Sequence, residues 1–412
     1  AVPPRPLKKR ATLAGTSTLV RYMATHYRVL VSVGLVLTYI WRWHDFHPLF
    51  VALRLGAIFT VSSWLFLILQ PKTGVILRAL GRPYGIFFVL WTVWMLLGVP
   101  TALIPELAWA FWYDFHFKNV LLFLFLASTL FVVRNIHILV LANIVGMSVG
   151  IFFYIKSGMP QSWTPYSMYD RNDLALLFNM TIPVAVWAGV SLKERWARNT
   201  AWVILLTGVA SVIGTQSRGG LLALSISSAF LLVRFKGISV KAKFAFVASI
   251  AVLLLMAPDS YWDRMATMLN PSEDYNMTSD TGRMEIWKRA ITYTKDYWVF
   301  GLGASNFSIA EATIREGARL IPGARGHVTH NSFLQVASET GIPGVTFFLG
   351  TLLGCFWGLF RTRSSLRRTK DPELEGIAEL CDLVTLCLIA YMVGGFFLSQ
   401  GYFSYLMVLM AL

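Results

Sequence analysis

An all-α, polytopic membrane protein of about twelve transmembrane helices is the fold class this sequence predicts, and three observations lead to it. Hydrophobic residues fill 56% of the 412 positions, charged residues only 14%, and mean hydropathy is +0.59, whereas soluble domains carry roughly a quarter charged residues. Apolar runs long enough to cross roughly 30 Å of hydrocarbon recur along the whole chain. Lys and Arg collect in alternate connections between those runs, the mark of a chain threaded back and forth across a bilayer. No soluble domain of ordinary size is left over.

Taken in order, residues 1–27 read as a cytoplasmic tail, basic and without the compact apolar core and small-residue cleavage site of a secretory signal. Nine spans follow within 28–258, at about 28–43, 49–69, 85–104, 117–133, 136–155, 173–191, 201–216, 219–234 and 244–258. A polar segment, 259–330, interrupts them. Three more spans lie within 331–412, at about 331–360, 377–398 and 400–412. Inside the polar segment, YWDRMATML and GRMEIWKRAITYTKDY have helical spacing with interleaved aromatic and basic residues, and VFGLGASNF reads as a Gly-rich turn. Short amphipathic helices lying over the mouth of the bundle fit that pattern. No internal repeat is visible, which gives an inverted-repeat transporter little support.

Orientation follows from charge. One side holds the tail with Arg5, Lys8, Lys9, Arg10, Arg21 and Arg28, then Lys72, Arg78, Arg82, Arg134, Lys193, Arg195 and Arg198. Arg234, Lys236, Lys241, Lys243, Arg361, Arg363, Arg367, Arg368 and Lys370 fall on the same side. The short loops opposite hold only Arg42, Lys118, Lys156, Arg171 and Arg218. Both termini are therefore expected in the cytoplasm, and the 259–330 loop outside. The net charge of +15 is scattered in short clusters, not gathered in one stripe, so it speaks for topology and against nucleic acid. Cys355, Cys381 and Cys387 fall within expected spans and read as buried, inert thiols. There is no Cys/His ligand spacing, HExxH or GxSxG, and His327 with His330 is too thin for a metal site.

Charged groups at membrane depth are costly and mark a function or a paired structural role. Four outer-side stretches carry them: YDRNDLALL (Asp170, Arg171, Asn172, Asp173), GTQSRGGLLAL (Arg218), TGRMEIWKRA (Arg283, Glu285, Lys288, Arg289) and VTHNSF (His330, Asn331). Arg218 sits between two apolar runs joined only by QSRGG. It is either a turn residue snorkelling to lipid headgroups or an anion fork. Arg283, Lys288 and Arg289 could be a solvated loop face, but with Arg218 and Arg171 they supply the bidentate donors that suit a phosphate or diphosphate. Outside the cytoplasm, phosphate has to arrive on a lipid, because nucleotide-activated substrates are made within. The substrate class this favours is a polyprenyl diphosphate.

Asn331 is a good N-cap for the helix SFLQVASETG, so His330 sits where free N–H groups point and the helix dipole is positive. That field favours the neutral imidazole, which can accept a proton as a general base. The plainer alternative is a hydrogen-bonded boundary residue. Farther on, GIPG with Pro343 is expected to kink the span. Glu339 is an alternative base, although a carboxylate at that depth suits pairing within the bundle better.

SRGG closing one span, GRMEIW leading into GLGASNF in a large outer loop, and THNSFLQVASETGIPG opening the next span together resemble the bacterial O-antigen ligase and polymerase superfamily. DRNDLALL resembles a further element of it, and the resemblance covers roughly residues 165 to 360. It implies a GT-C-like multi-span glycosyltransferase of the bacterial inner membrane. Such an enzyme moves a glycan from undecaprenyl diphosphate to an acceptor at the periplasmic face. No metal or other cofactor is expected, because arginines can neutralise the leaving diphosphate and carboxylates are sparse around these motifs. In O-antigen ligases the acceptor is the lipid A–core oligosaccharide, giving lipopolysaccharide. Relatives polymerise repeat units or glycosylate protein serines. Carried over by motif, the essential arginines fall on Arg218 and Arg283 and the essential histidine on His330. Arg171 and Arg289 would join them at the diphosphate, with Asn331 and Asn172 in support. A flippase or transporter of a lipid-linked glycan is the competing class; it would distribute charge through the bundle interior, whereas here the charge gathers on one face.

Overall fold

In lipid every backbone N–H and C=O has to find its partner within the chain, and a helix does this span by span. The computed structural model describes residues 26–158, 169–234, 239–267, 269–270, 274–279, 281–313, 326–366 and 372–412. All but the last two residues of the expected 1–27 tail lie outside these. Among the described residues every regular element is helical. α1 (His26–Ile40), α2 (Pro48–Ala52), α3 (Leu55–Leu69), α4 (Thr73–Leu80) and α5 (Pro83–Leu97) come first. α6 (Pro105–Phe111) runs through a π turn at Trp112–His116 into α7 (Phe117–Thr129). α8 (Val133–Lys156), α9 (Arg171–Ser191), α10 (Arg195–Gly214), α11 (Arg218–Arg234) and α12 (Val240–Leu255) follow. The polar segment holds α13 (Asp259–Ala266), α14 (Tyr275–Thr278), α15 (Arg283–Asp296) and α16 (Phe307–Thr313). α17 (Ser332–Leu366), α18 (Pro372–Gly395) and α19 (Ser404–Ala411) complete the chain.

Each of the twelve expected apolar segments contains a helix, but their lengths differ from what the apolar runs suggest. Five helices, α8, α9, α10, α17 and α18, are long and apolar enough to cross a membrane. α3 and α4, bent 103° from one another, make a sixth if they form one broken span. Arg28 explains how that bend is tolerated: its guanidinium reaches from α1 to the carbonyls of Phe66 and Gln70 at the end of α3 and to Ser128 Oγ. α1, α5 and most of α12 are apolar but shorter, and the eight residues of α19 rise only about 12 Å.

α9 forms the axis, buried from Leu174 through Gly189 and wrapped by α8, α10, α11 and α18. Cys355, Cys381 and Cys387 are free and buried, as expected. α17 packs on α5, α18 and α15 and is broken where GIPG lies: Gly341 has φ 71° and ψ −176°. The cause is a second strand of chain. Residues 298–303 pair with the broken turn, Leu302 N to Ser338 O at 2.8 Å, Gly303 N to Glu339 O at 3.0 Å and Ile342 N to Trp298 O at 2.8 Å. The Trp94 indole donates to Thr340 O and Val299 O. A Cβ on Gly341 would sit 2.2 Å from Val299 O, so only glycine permits both the left-handed backbone and the approach. Glu339 is fully enclosed and accepts from Tyr402 Oη at 2.9 Å and Phe307 N at 3.3 Å, a structural pairing inside the bundle.

Candidate active site

Four guanidiniums share one cavity of about 150 Å³: Arg171, Arg218, Arg264 and Arg283, with Asn172, Ser217 and Asn276 among the other polar walls. Local sequence puts each there. Asp170 caps α9 in a reciprocal capping box with Asp173, which sets Arg171 and Asn172 in the first turn. Asn172 also gives its N–H to Asp170 at 2.7 Å. α10 stops at Gly214, Gln216 takes φ 52°, and Ser217 caps α11 by accepting from Gly220 N at 3.1 Å. Gly220 lets α11 start against α9, since a Cβ there would lie 2.7 Å from Ala175 Cβ, and its carbonyl receives Asn179 Nδ2 at 2.9 Å. Arg218 is thereby the first helical residue, facing the cavity. Arg264 comes from α13 and Arg283 from the first turn of α15.

The four cations differ in their partners. Arg218 donates to Asp274 at 2.7 Å and to Thr267 Oγ1 at 2.8 Å, so it is anchored as well as charged. Burial pushes the Asp274 carboxyl up, but hydrogen bonds from Asn276 and Arg218 outweigh it and hold the group below the usual carboxylate range. Arg283 has no hydrogen-bond acceptor among the described residues, and burial, then the Arg218 charge, lower its pKa. Burial and the nearby Arg171 and Arg218 do the same to Arg264, whose Nε is buried without a partner among the described residues. Guanidiniums stay protonated under such shifts. They repel one another, and a polyanion placed between them reverses the sign of that interaction. Beside this cavity lies a second, of about 320 Å³, which Arg218 and Arg283 also edge but whose walls include Leu222, Met284, Trp287, Phe396 and Phe397. An anionic group with an apolar tail matches the pair.

His330 stands next to this arrangement, within electrostatic reach of Arg283 and Asp170, and not on the cavity wall itself. Its backbone is left-handed, φ 47°, and pinned: His330 N donates to Ser399 Oγ at 2.8 Å, and the Trp287 indole donates to Thr329 O at 3.0 Å. A non-glycine residue held there is strained and over-determined by its neighbours. Asn331 Oδ1 accepts from Phe333 N and Leu334 N, both at 3.0 Å, the expected N-cap, so this side chain serves the helix start. The imidazole is pushed down to about 4, first by burial and then by Arg283. Burial and a neighbouring cation both favour the neutral ring. Among the described residues no hydrogen bond occupies its ring nitrogens.

Arg289 is not brought to the cavity. Its guanidinium grips Glu311, with Nε at 2.9 and 3.1 Å from the two carboxylate oxygens and a second nitrogen at 2.7 Å. Six residues separate it from Arg283, which turns it about 120° around the helix. Lys288, also in that cluster, is exposed and pairs with Glu285. Conversely, Arg264 and Asp274 did not emerge from the sequence. The only signal for Arg264 was its place in YWDRMATML, an amphipathic stretch beside the mouth. Asp274 had none.

Residues 203–349 match the family model described as O-Antigen ligase. That segment contains Arg218, Arg264, Arg283 and His330 and leaves Arg171 and Asn172 outside it. No curated protein matches the chain.

Proposed function

We propose, starting from a segment 203–349 that belongs to the O-antigen ligase/polymerase superfamily, that this chain is an O-antigen ligase. In this reading it transfers a glycan from undecaprenyl diphosphate to a hydroxyl of the lipid A–core oligosaccharide, at the periplasmic face of the bacterial inner membrane. The observation that carries the proposal is the convergence of four guanidiniums on one cavity, with the half-buried His330 standing beside it. The distribution of Lys and Arg supports the orientation, with both termini in the cytoplasm and the arginine cavity at the periplasmic end.

As the sugar C1–O bond breaks, negative charge grows on the leaving undecaprenyl diphosphate. Arg218 and Arg283, joined by Arg171 and Arg264, stabilise that charge more in the transition state than in the ground state. Arg218 is held for the task by Asp274 and Thr267. The acceptor oxygen forms its bond to C1 from the opposite face, inverting the anomeric centre, and its proton passes to a ring nitrogen of His330. Fixed guanidiniums supply the positive charge, so the reading includes no metal or cofactor. Arg289 is given no part in it. A flippase would need charge through the bundle interior, whereas Arg171, Arg218, Arg264 and Arg283 gather in one cavity, which favours the enzyme.

The test incubates purified protein with undecaprenyl diphosphate-linked glycan and rough lipopolysaccharide and follows ladder formation on a gel. His330→Ala, Arg218→Ala and Arg283→Ala are expected to lose the ladder; full activity in all three would sink the proposal. Lengthening of the donor glycan without acceptor would instead favour an O-antigen polymerase, and transfer to protein serine a protein O-oligosaccharyltransferase.

A further inference from the structure

We propose that the end of the bundle opposite the arginine cavity carries a binding site for an anionic phospholipid, its phosphate held by Arg82 and Arg361 and an acyl chain laid along the α5–α17 seam. A cleft of about 310 Å³ there is lined by both arginines together with Tyr84, Ile136, Leu359 and Leu380. Through Pro83 and Trp357 it continues into a wholly different space, an open groove of about 580 Å³ between Phe87, Leu353 and Phe360.

Three observations identify the occupant. The groove faces lipid: Leu353, Trp357 and Phe360 are 64%, 53% and 56% exposed on a span. Its floor is the helix seam itself, because Gly350 and Gly354 bring α17 down on α5; a Cβ on either would lie 2.6 Å from Phe87 or Tyr84. Its polar end is cationic. Among the described residues neither Arg82 nor Arg361 has a carboxylate within ion-pair distance, while the nearby Asp382 is already engaged by Arg363 and Arg234. Arg361 lies over the Trp357 ring, 5.3 Å from its centroid, which fixes it at the junction of cleft and groove. About 27 Å of helix separates Pro343 from Arg361, so the pair sits at headgroup depth on the far side from His330. A phosphodiester with net negative charge complements two guanidiniums above an apolar channel, and a zwitterionic lipid offsets that attraction with its own ammonium.

The full chain in maltoside detergent would be titrated with phosphatidylglycerol and with phosphatidylcholine of the same acyl chains, and bound lipid counted by native mass spectrometry. Phosphatidylglycerol is expected to bind about tenfold or more tightly. Arg82→Gln with Arg361→Gln should remove that preference, about fivefold per arginine, whereas the Lys pair should keep it. Leu353→Trp, which fills the groove, should weaken both lipids. Equal binding of the two lipids by the wild type, or a preference that survives the Gln pair, would overturn the site. Displacement of the lipid by glycerol 3-phosphate at equal concentration would overturn the role of the groove. Ladder formation in detergent should be unchanged in the Gln pair, so the outcome is independent of the reaction at the other end.

Discussion

Replacing Arg289 distinguishes a ligand of the donor from a strut. Its three contacts to Glu311, at 2.7 to 3.1 Å, are made to a carboxylate with no exposed side-chain surface, and Tyr293 Oη donates to the same group at 3.3 Å. Arg289→Met strands that carboxylate. Removing one partner of a buried pair costs about 3–5 kcal/mol, and because Arg289 keeps 20% of its side-chain surface the lower end, about 3 kcal/mol, applies. At about 2–4 °C per kcal/mol, the thermal midpoint in detergent should fall by roughly 6–12 °C. Arg289→Met with Glu311→Leu removes both charges at once, and such apolar replacement of a buried pair is close to neutral. The double variant should recover the midpoint to within about 3 °C and ladder formation to within about fivefold, the residual about 1 kcal/mol. A double variant that is fully stable but makes no ladder would refute the reasoning and return Arg289 to the diphosphate.

Further outcomes are expected. His330→Ala should slow transfer by about a hundred- to ten-thousandfold while donor affinity, read by a lipid-binding titration, stays put. Because the ring titrates at about 4 in the folded chain against 6.5 ordinarily, the rate should be flat above about pH 5 and fall through 4. The unfolded chain takes the proton more readily, so this group's contribution to stability is intact above 6.5 and drains as pH drops toward 4. Arg264→Gln should cut kcat/KM by about 10- to 100-fold, roughly 1.4–2.8 kcal/mol, and wild-type values would remove it from the site. Gly341→Ala should be strongly destabilising, since φ 71° with ψ −176° is a backbone region essentially confined to glycine and costs about 1–3 kcal/mol before the 2.2 Å approach to Val299 O is counted; an unchanged melt would contradict the seam. EDTA should leave ladder formation intact, and its loss would refute charge neutralisation by arginine alone.

The parts of this molecule that sequence could reach are those written in local patterns. Alternating charge among apolar runs marked a threaded bundle, Asn331 announced a helix start, and GIPG announced a break. Span lengths were less legible, because an apolar run says nothing of where the helix inside it bends: residues 70–72 divide one run from its continuation at 103°. Within the site, Arg218 stood out because a short turn between two spans leaves a guanidinium nowhere else to go. Arg283 and Arg289 looked equivalent, since spacing alone does not say which face of α15 turns inward. Arg264 was hidden for a different reason. Its companions come from α9, α11 and α15, and only the packed chain brings those elements together.

The break in α17 has a mechanical meaning. Ile342 spends its N–H on Trp298, and Pro343 has none to give, so consecutive rungs of the helical ladder are absent at one level. Above that level, residues 329–340 are stitched to the turn before α16 and, through Trp287 at Thr329 and Ser399 at His330, to their neighbours. Below it, the long apolar shaft answers to the bilayer, whose thickness and composition set its tilt. The seam is an expansion joint: tilt of the shaft is taken up at Gly341, and His330 keeps its position relative to the arginines.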